Sequence, residues 1–259
     1  MNRKCFLPIA LLAVVFLACA QPQAKAEYEY FEDFNTQLNP SWWTLSSSGS
    51  VTASYITDIS NSANKLILMR YASGSEGYLP GEGVLQFNFP IQGDFSASIT
   101  YNLYNWPVPN NDVTAGLRTE LGDVNRLNNG GEFYLTDFLG DTTHQISTDD
   151  TKGRLRIIRT GSVLQGAYYD PTISGDNKWL LIGQYNAAGI DDTDIKISLW
   201  PGVNADQNVS VVFDDFNLHV YAANALDPRG VVPEPVSMLL FGVGAVTMAF
   251  VKKGKKKSI

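Results

Sequence analysis

Carboxylates are the side chains of this 259-residue chain best placed to do chemistry, and their spacing decides which chemistry is open to them. Glycoside hydrolysis asks for two carboxylates facing one cleft, which on a strand means residues an even number apart, because side chains alternate between faces. Glu120-Leu121-Gly122-Asp123 sets its pair three apart, and no second glutamate follows on that segment. Both are therefore expected to be solvated, exposed groups. Histidine chemistry is as thin. His144 falls in a polar stretch, His219 in an apolar one, and both cysteines, Cys5 and Cys19, lie in the first twenty residues, so no thiol completes a zinc site. The chain has no Gly-x-Ser-x-Gly elbow to activate a serine.

Two clusters suit binding better than catalysis. Asp191, Asp192 and Asp194 gather carboxylates of the kind that Ca2+ takes, although a solvated acidic turn has the same composition and both readings stay open. Trp106, followed by Asn110, Asn111 and Asp112, combines an aromatic face with amide groups, as a glycan site requires, and Trp179 and Trp200, near strand ends, are the other aromatic candidates. The alternative for Trp106 is a buried ring that plugs the end of the fold.

The elements that must position these residues read as strands. Phe95, Ala97, Ile99, Tyr101 and Leu103 alternate with Ser96, Ser98, Thr100, Asn102 and Tyr104, a period of two with one wet face. Similar runs at 28–34, 51–57, 66–71, 84–89, 113–121, 132–138, 154–160, 163–169, 179–184, 195–200 and 211–220 bring the count to about a dozen. Turn chemistry such as Asn39-Pro40 and Asn128-Asn129-Gly130-Gly131 separates them. No ten-residue amphipathic helix and no internal repeat appears, so the expected fold is an all-β, two-sheet antiparallel sandwich of jelly-roll type. Tyr30-Phe31-Glu32-Asp33-Phe34 mirrors Val212-Phe213-Asp214-Asp215-Phe216, and these first and last strands are expected to pair.

The two ends are addresses. Arg3 and Lys4, an apolar run from Phe6 to Ala20, and Ala24-Lys25-Ala26 have the order of a signal peptide spanning residues 1–26, with signal peptidase cutting before Glu27. Lipidation at Cys19 is the alternative, but the expected leucine upstream is missing. At the other end Val236 to Val251 is an uncharged run closed by Lys252, Lys253, Lys255, Lys256 and Lys257, a membrane helix with its basic end in the cytoplasm. With three cations before Glu27 and five lysines against Glu234 in the tail, the ends hold +7 of the chain's net −7, leaving −14 on the body. Such a body repels phosphate backbones and excludes nucleic acid as a partner.

Val232-Pro233-Glu234-Pro235, the apolar run with Gly242 and Gly244, and the lysine cluster resemble the PEP-CTERM sorting signal of Gram-negative bacteria. The resemblance implies processing by a membrane-embedded exosortase near the triplet and a protein at the cell surface, in the outer membrane or in an exopolysaccharide matrix. The organisation expected is a signal peptide (1–26), an all-β domain (27–222), a linker (223–232) and the sorting signal (233–257). The body resembles the concanavalin A-like lectin and glucanase superfamily through Phe31, Asp33, Phe34, Trp42, Phe95, Trp106, Leu117, Arg118, Gly153, Leu155, Arg156 and Phe216. That resemblance implies a jelly roll with carbohydrate as its partner. The expected function is a polysaccharide-binding or matrix-structural module and not an enzyme, the alternative being a secreted glycoside hydrolase or lyase on the same fold.

Overall fold

The computed structural model describes residues 28–57, 65–74, 80–107, 111–139, 143–175, 177–186 and 192–221. The signal peptide, the linker and the whole sorting signal lie outside these residues.

Alternating sequence becomes two packed sheets. One runs β13 (Trp179–Asn186), β12 (Val163–Tyr169), β11 (Lys152–Thr160), β6 (Phe95–Asn105), β15 (Val209–Val220), β4 (Lys65–Tyr71) and β3 (Val51–Thr57), with β1 (Tyr28–Glu32) also on β15. The other runs β10 (His144–Ser147), β9 (Glu132–Phe138), β8 (Gly122–Asn128), β7 (Val113–Thr119), β14 (Asp192–Pro201), β5 (Gly81–Gln92) and β2 (Trp43–Gly49). Every pairing is antiparallel, and among the described residues there is no helix.

Apolar residues at alternate positions fill the space between the sheets. Phe95, Ala97, Ile99 and Tyr101 of β6 meet Ala115 and Leu117 of β7 and Ile195, Ile197 and Leu199 of β14 in one core. An aromatic cluster closes one end, with Trp43 edge-on to Phe216 at 5.0 Å and to Phe87 at 5.1 Å. Trp43 Nε1 donates to the Tyr30 hydroxyl at 2.9 Å, which donates onward to Glu32 at 2.8 Å, so the polar edges of this cluster are satisfied.

The first and last strands do pair, with Tyr28 opposite Val220 and Glu32 opposite Phe216. A bulge between Asp214 and Asn217, with Asp215 at φ 49°, breaks the ladder of β15 so that β4 takes its first half and β1 its second. Aspartate tolerates that left-handed conformation better than most residues.

Three strands escape the sequence pattern. The serine-rich stretch of β2 reads as a turn, β10 is a four-residue polar edge, and β8 breaks the alternation by turning Arg126 and Asn128 inward. The expected single strand at 113–121 is a hairpin instead: β7 ends at Thr119, and Gly122, at φ 131°, opens β8.

Candidate functional site

Those of the Trp106 to Asp112 and Asp191 to Asp194 candidates that the structure describes are held by contacts within the chain. Trp106 is partly buried against the core cluster, and its Nε1 is buried with no acceptor among the described residues, so the ring serves as the plug. Asn111 is fully buried. Its Oδ1 accepts from the backbone amides of Asp206 (2.7 Å) and Gln207 (2.8 Å), committing it to tying two loops together. Asp112 sits at φ 47° with its carbonyl accepting from Gly202 N at 2.6 Å. Asn110 lies outside the described residues. Of the acidic cluster, Asp191 is also outside, and Asp192 is described only as the first residue of β14. Asp194 accepts from Glu120 N at 3.1 Å and pairs with Lys196 at 2.6 Å, so both its oxygens are taken by this chain's own donors. Among the described residues no three acidic or histidine side chains converge as a metal site.

A different set does converge, on the outer face of the seven-stranded sheet. Because Leu117, Val124, Ile197 and Leu85 point into the core, their neighbours Arg118, Asp123, Lys196 and Gln86 point outward. Strand register lines these up as one row: Asp137, Asp123, Arg118, Lys196, Gln86, Thr44. The next row is Leu135, Asn125, Gly116, Ser198, Val84, Ser46, with the small Gly116 and Ser198 in the middle. That low floor lets the Arg118 side chain lie across it.

Arg118 is the hub. Its Nη1 donates to Glu82 at 2.9 Å, its Nε lies 3.6 Å from Asp123, and its guanidinium carbon sits 5.2 Å from the Trp200 ring centroid. Trp200 keeps 36% of its surface open, an unusual exposure for the largest apolar side chain. Asp123, expected to be solvated, is buried instead. Burial pushes its carboxyl up to about 6; Arg118 and a hydrogen bond with Asn125 pull it down, while Asp137 and Glu82 push it further up.

Behind this face, inside the sandwich, Arg126 is wholly buried. It donates to Glu132 and to the Phe133 carbonyl, each at 2.9 Å, and to the Asp150 carbonyl at 3.0 Å, with the Tyr134 ring 5.1 Å from its guanidinium. The Tyr134 hydroxyl donates to Asp150 at 2.7 Å and lies 3.0 Å from that of Tyr101. Burial holds both phenols neutral, moving Tyr101 up to about 12 and Tyr134 higher still. This network braces β8 and β9, which carry Asp123 and Asp137.

No family profile and no curated protein matches the chain. Solved structures do. A transglycosylase, Crh5 in its apo form, shares 12% identity over 79% of this chain and 89% of its own, with a TM-score of 0.51. A GH16 protein from Bacteroides ovatus, solved with the product G4G4G3G, shares 9% identity over 73% of this chain and 99% of its own, at 0.50. Peanut lectin covers 75% of this chain at 10% identity, with 97% of its own chain matched and a TM-score of 0.49. The likeness is one of fold: the body is a concanavalin A-like jelly roll.

Proposed function

We propose that this jelly roll is the carbohydrate-binding body of an exported, tail-sorted surface protein, and that a glycan chain lies across the outer face of the seven-stranded sheet. The observation that carries this is Trp200, open to solvent beside a row of charged and amide side chains held in place by their neighbours. Sugars present apolar C–H faces and hydroxyl rims, and a flat indole beside Arg118 and the Glu82 that it holds offers a partner to each. The transglycosylase and the GH16 protein that share the fold support carbohydrate as the ligand class.

Titrating neutral β-glucan oligosaccharides while following tryptophan fluorescence tests this: quenching that saturates supports the site, and a flat signal across a broad panel removes it. Export and sorting rest on the signal peptide and on the Val232 to Lys257 tail. An intact mass running from Glu27 to near Pro235 on protein from the medium would support them, whereas a retained lysine tail would leave a simple membrane anchor.

A second reading has its own observation. Asp123, with a carboxyl near 6, is suited to give or take a proton at neutral pH, and Glu82 reaches the same guanidinium. A polysaccharide-cleaving enzyme would release reducing or unsaturated ends, and Asp123→Asn would abolish the release. Release that persists in the variant would exclude Asp123 as the catalytic group.

A further inference from the structure

The eight-stranded sheet, on the opposite side of the sandwich, carries a feature that the proposed glycan face does not use. Arg154 and Arg156 stand two apart on β11 and so project from the same outer face. Arg118, Arg126 and Lys196 each have a carboxylate oxygen within 4 Å. Arg154 and Arg156 have none among the described residues; their partners are neutral. Arg156 Nε donates to Ser96 Oγ at 2.7 Å, Arg154 reaches Ser98 Oγ at 3.5 Å, and Trp179 lies 5.5 Å and 5.2 Å from the two guanidinium carbons. Arg154 Nε is buried with no hydrogen-bond partner among the described residues.

This arrangement is costly as it stands. Two like charges are half-buried side by side, and burial, with Arg154 alongside, weighs against the charged form of Arg156. Among the described residues no carboxylate forms an ion pair with either guanidinium. Cation–π contacts and serine hydroxyls fix where the forks point without neutralising them.

The two arginines line a pocket of about 290 Å³ together with Phe31, Trp179, Asn217 and His219. That is just under the range of roughly 300–1,000 Å³ for small-ligand sites and suits a single sugar unit. Phe31 stands opposite Asn217 in the β1–β15 ladder and is 56% exposed, a ring offered to something outside the chain. The one carboxylate of the lining, Glu29, is at the rim and turns to His219 Nδ1 at 3.4 Å.

We propose that this pocket is a second ligand site, one that takes a uronate unit of an acidic polysaccharide: its carboxylate between Arg154 and Arg156, its ring face toward Phe31 and its hydroxyls toward Asn217 and Ser98. A planar carboxylate matches the guanidinium fork in a way a lone point charge does not. The site lies on the opposite sheet from Trp200 and stands or falls separately from it.

Isothermal titration of the full-length chain with trigalacturonate, and with its methyl ester as the uncharged control, tests the proposal. The acid should bind and the ester should not; binding should weaken as salt is raised; the Arg154→Ala/Arg156→Ala double variant should bind at least tenfold more weakly, and Trp200→Ala should bind as wild type does. Arg156→Lys keeps the charge but loses the fork and should weaken binding several-fold, which decides the matter if the double variant fails to fold. Equal binding of acid and ester, wild-type affinity in Arg156→Lys, or no heat at millimolar trigalacturonate would overturn it.

Discussion

Replacing Asp123 with asparagine removes a carboxyl that the fold prefers to keep protonated. The shift from 3.8 to about 6 is roughly two units, and at about 1.4 kcal/mol per unit the folded state gives up about 3 kcal/mol when Asp123 ionises. The side chain is only 11% exposed, so solvent screening takes little from that figure. Between pH 3.8 and 6 the folded chain binds this proton more tightly than the unfolded chain does. The stability contributed by the group is therefore complete below about pH 4 and is lost as pH rises through 6. Asparagine has nearly the shape of the protonated acid and does not titrate. Urea unfolding of wild type and Asp123→Asn, run in parallel from pH 4 to 7.5, isolates the group, because every other titration is common to both. The variant should match wild type near pH 4 and exceed it by about 2–3 kcal/mol at pH 7.5. A difference that stays flat across that range, or a variant less stable at pH 7.5, would refute the reasoning.

Other substitutions probe the scaffold. Arg126→Ala leaves Glu132 and two carbonyls without their buried partner and should cost about 3–5 kcal/mol in urea unfolding. In Gly116→Ala the new Cβ would stand 2.4 Å from the Val124 carbonyl oxygen and 2.7 Å from Asn125 Oδ1; backbone cannot yield cheaply there, so a loss of about 1–3 kcal/mol is expected by thermal unfolding. Trp106→Ala should lower stability by about 2–4 kcal/mol and leave glycan affinity unchanged, since the ring packs against the core.

The sandwich was legible wherever alternation was clean, as in β6, β12 and the paired β1 and β15, because one wet face imposes a period of two whatever the tertiary contacts. It was illegible in β8, where Arg126 points inward: the chain cannot advertise that Glu132, Phe133 O and Asp150 O will be waiting for it. Asp123 was misjudged for a related reason. Three-residue parity with Glu120 says nothing about burial, which comes from Arg118 on the neighbouring strand and Asp137 on the next. Glu82, Arg118 and Trp200 lie on three strands far apart in sequence and meet only through register. Their one visible signal was a tryptophan at an outward position of an alternating run. Asn111 misled in the other direction, because an amide that ties loops together and an amide that binds a sugar are the same residue in a sequence.

The most direct test of the glycan face is isothermal titration of the full-length chain with neutral β-glucan oligosaccharides, comparing wild type with Trp200→Ala. The account predicts weak saturable binding that falls at least tenfold when the indole is removed. Binding that survives Trp200→Ala unchanged would contradict it.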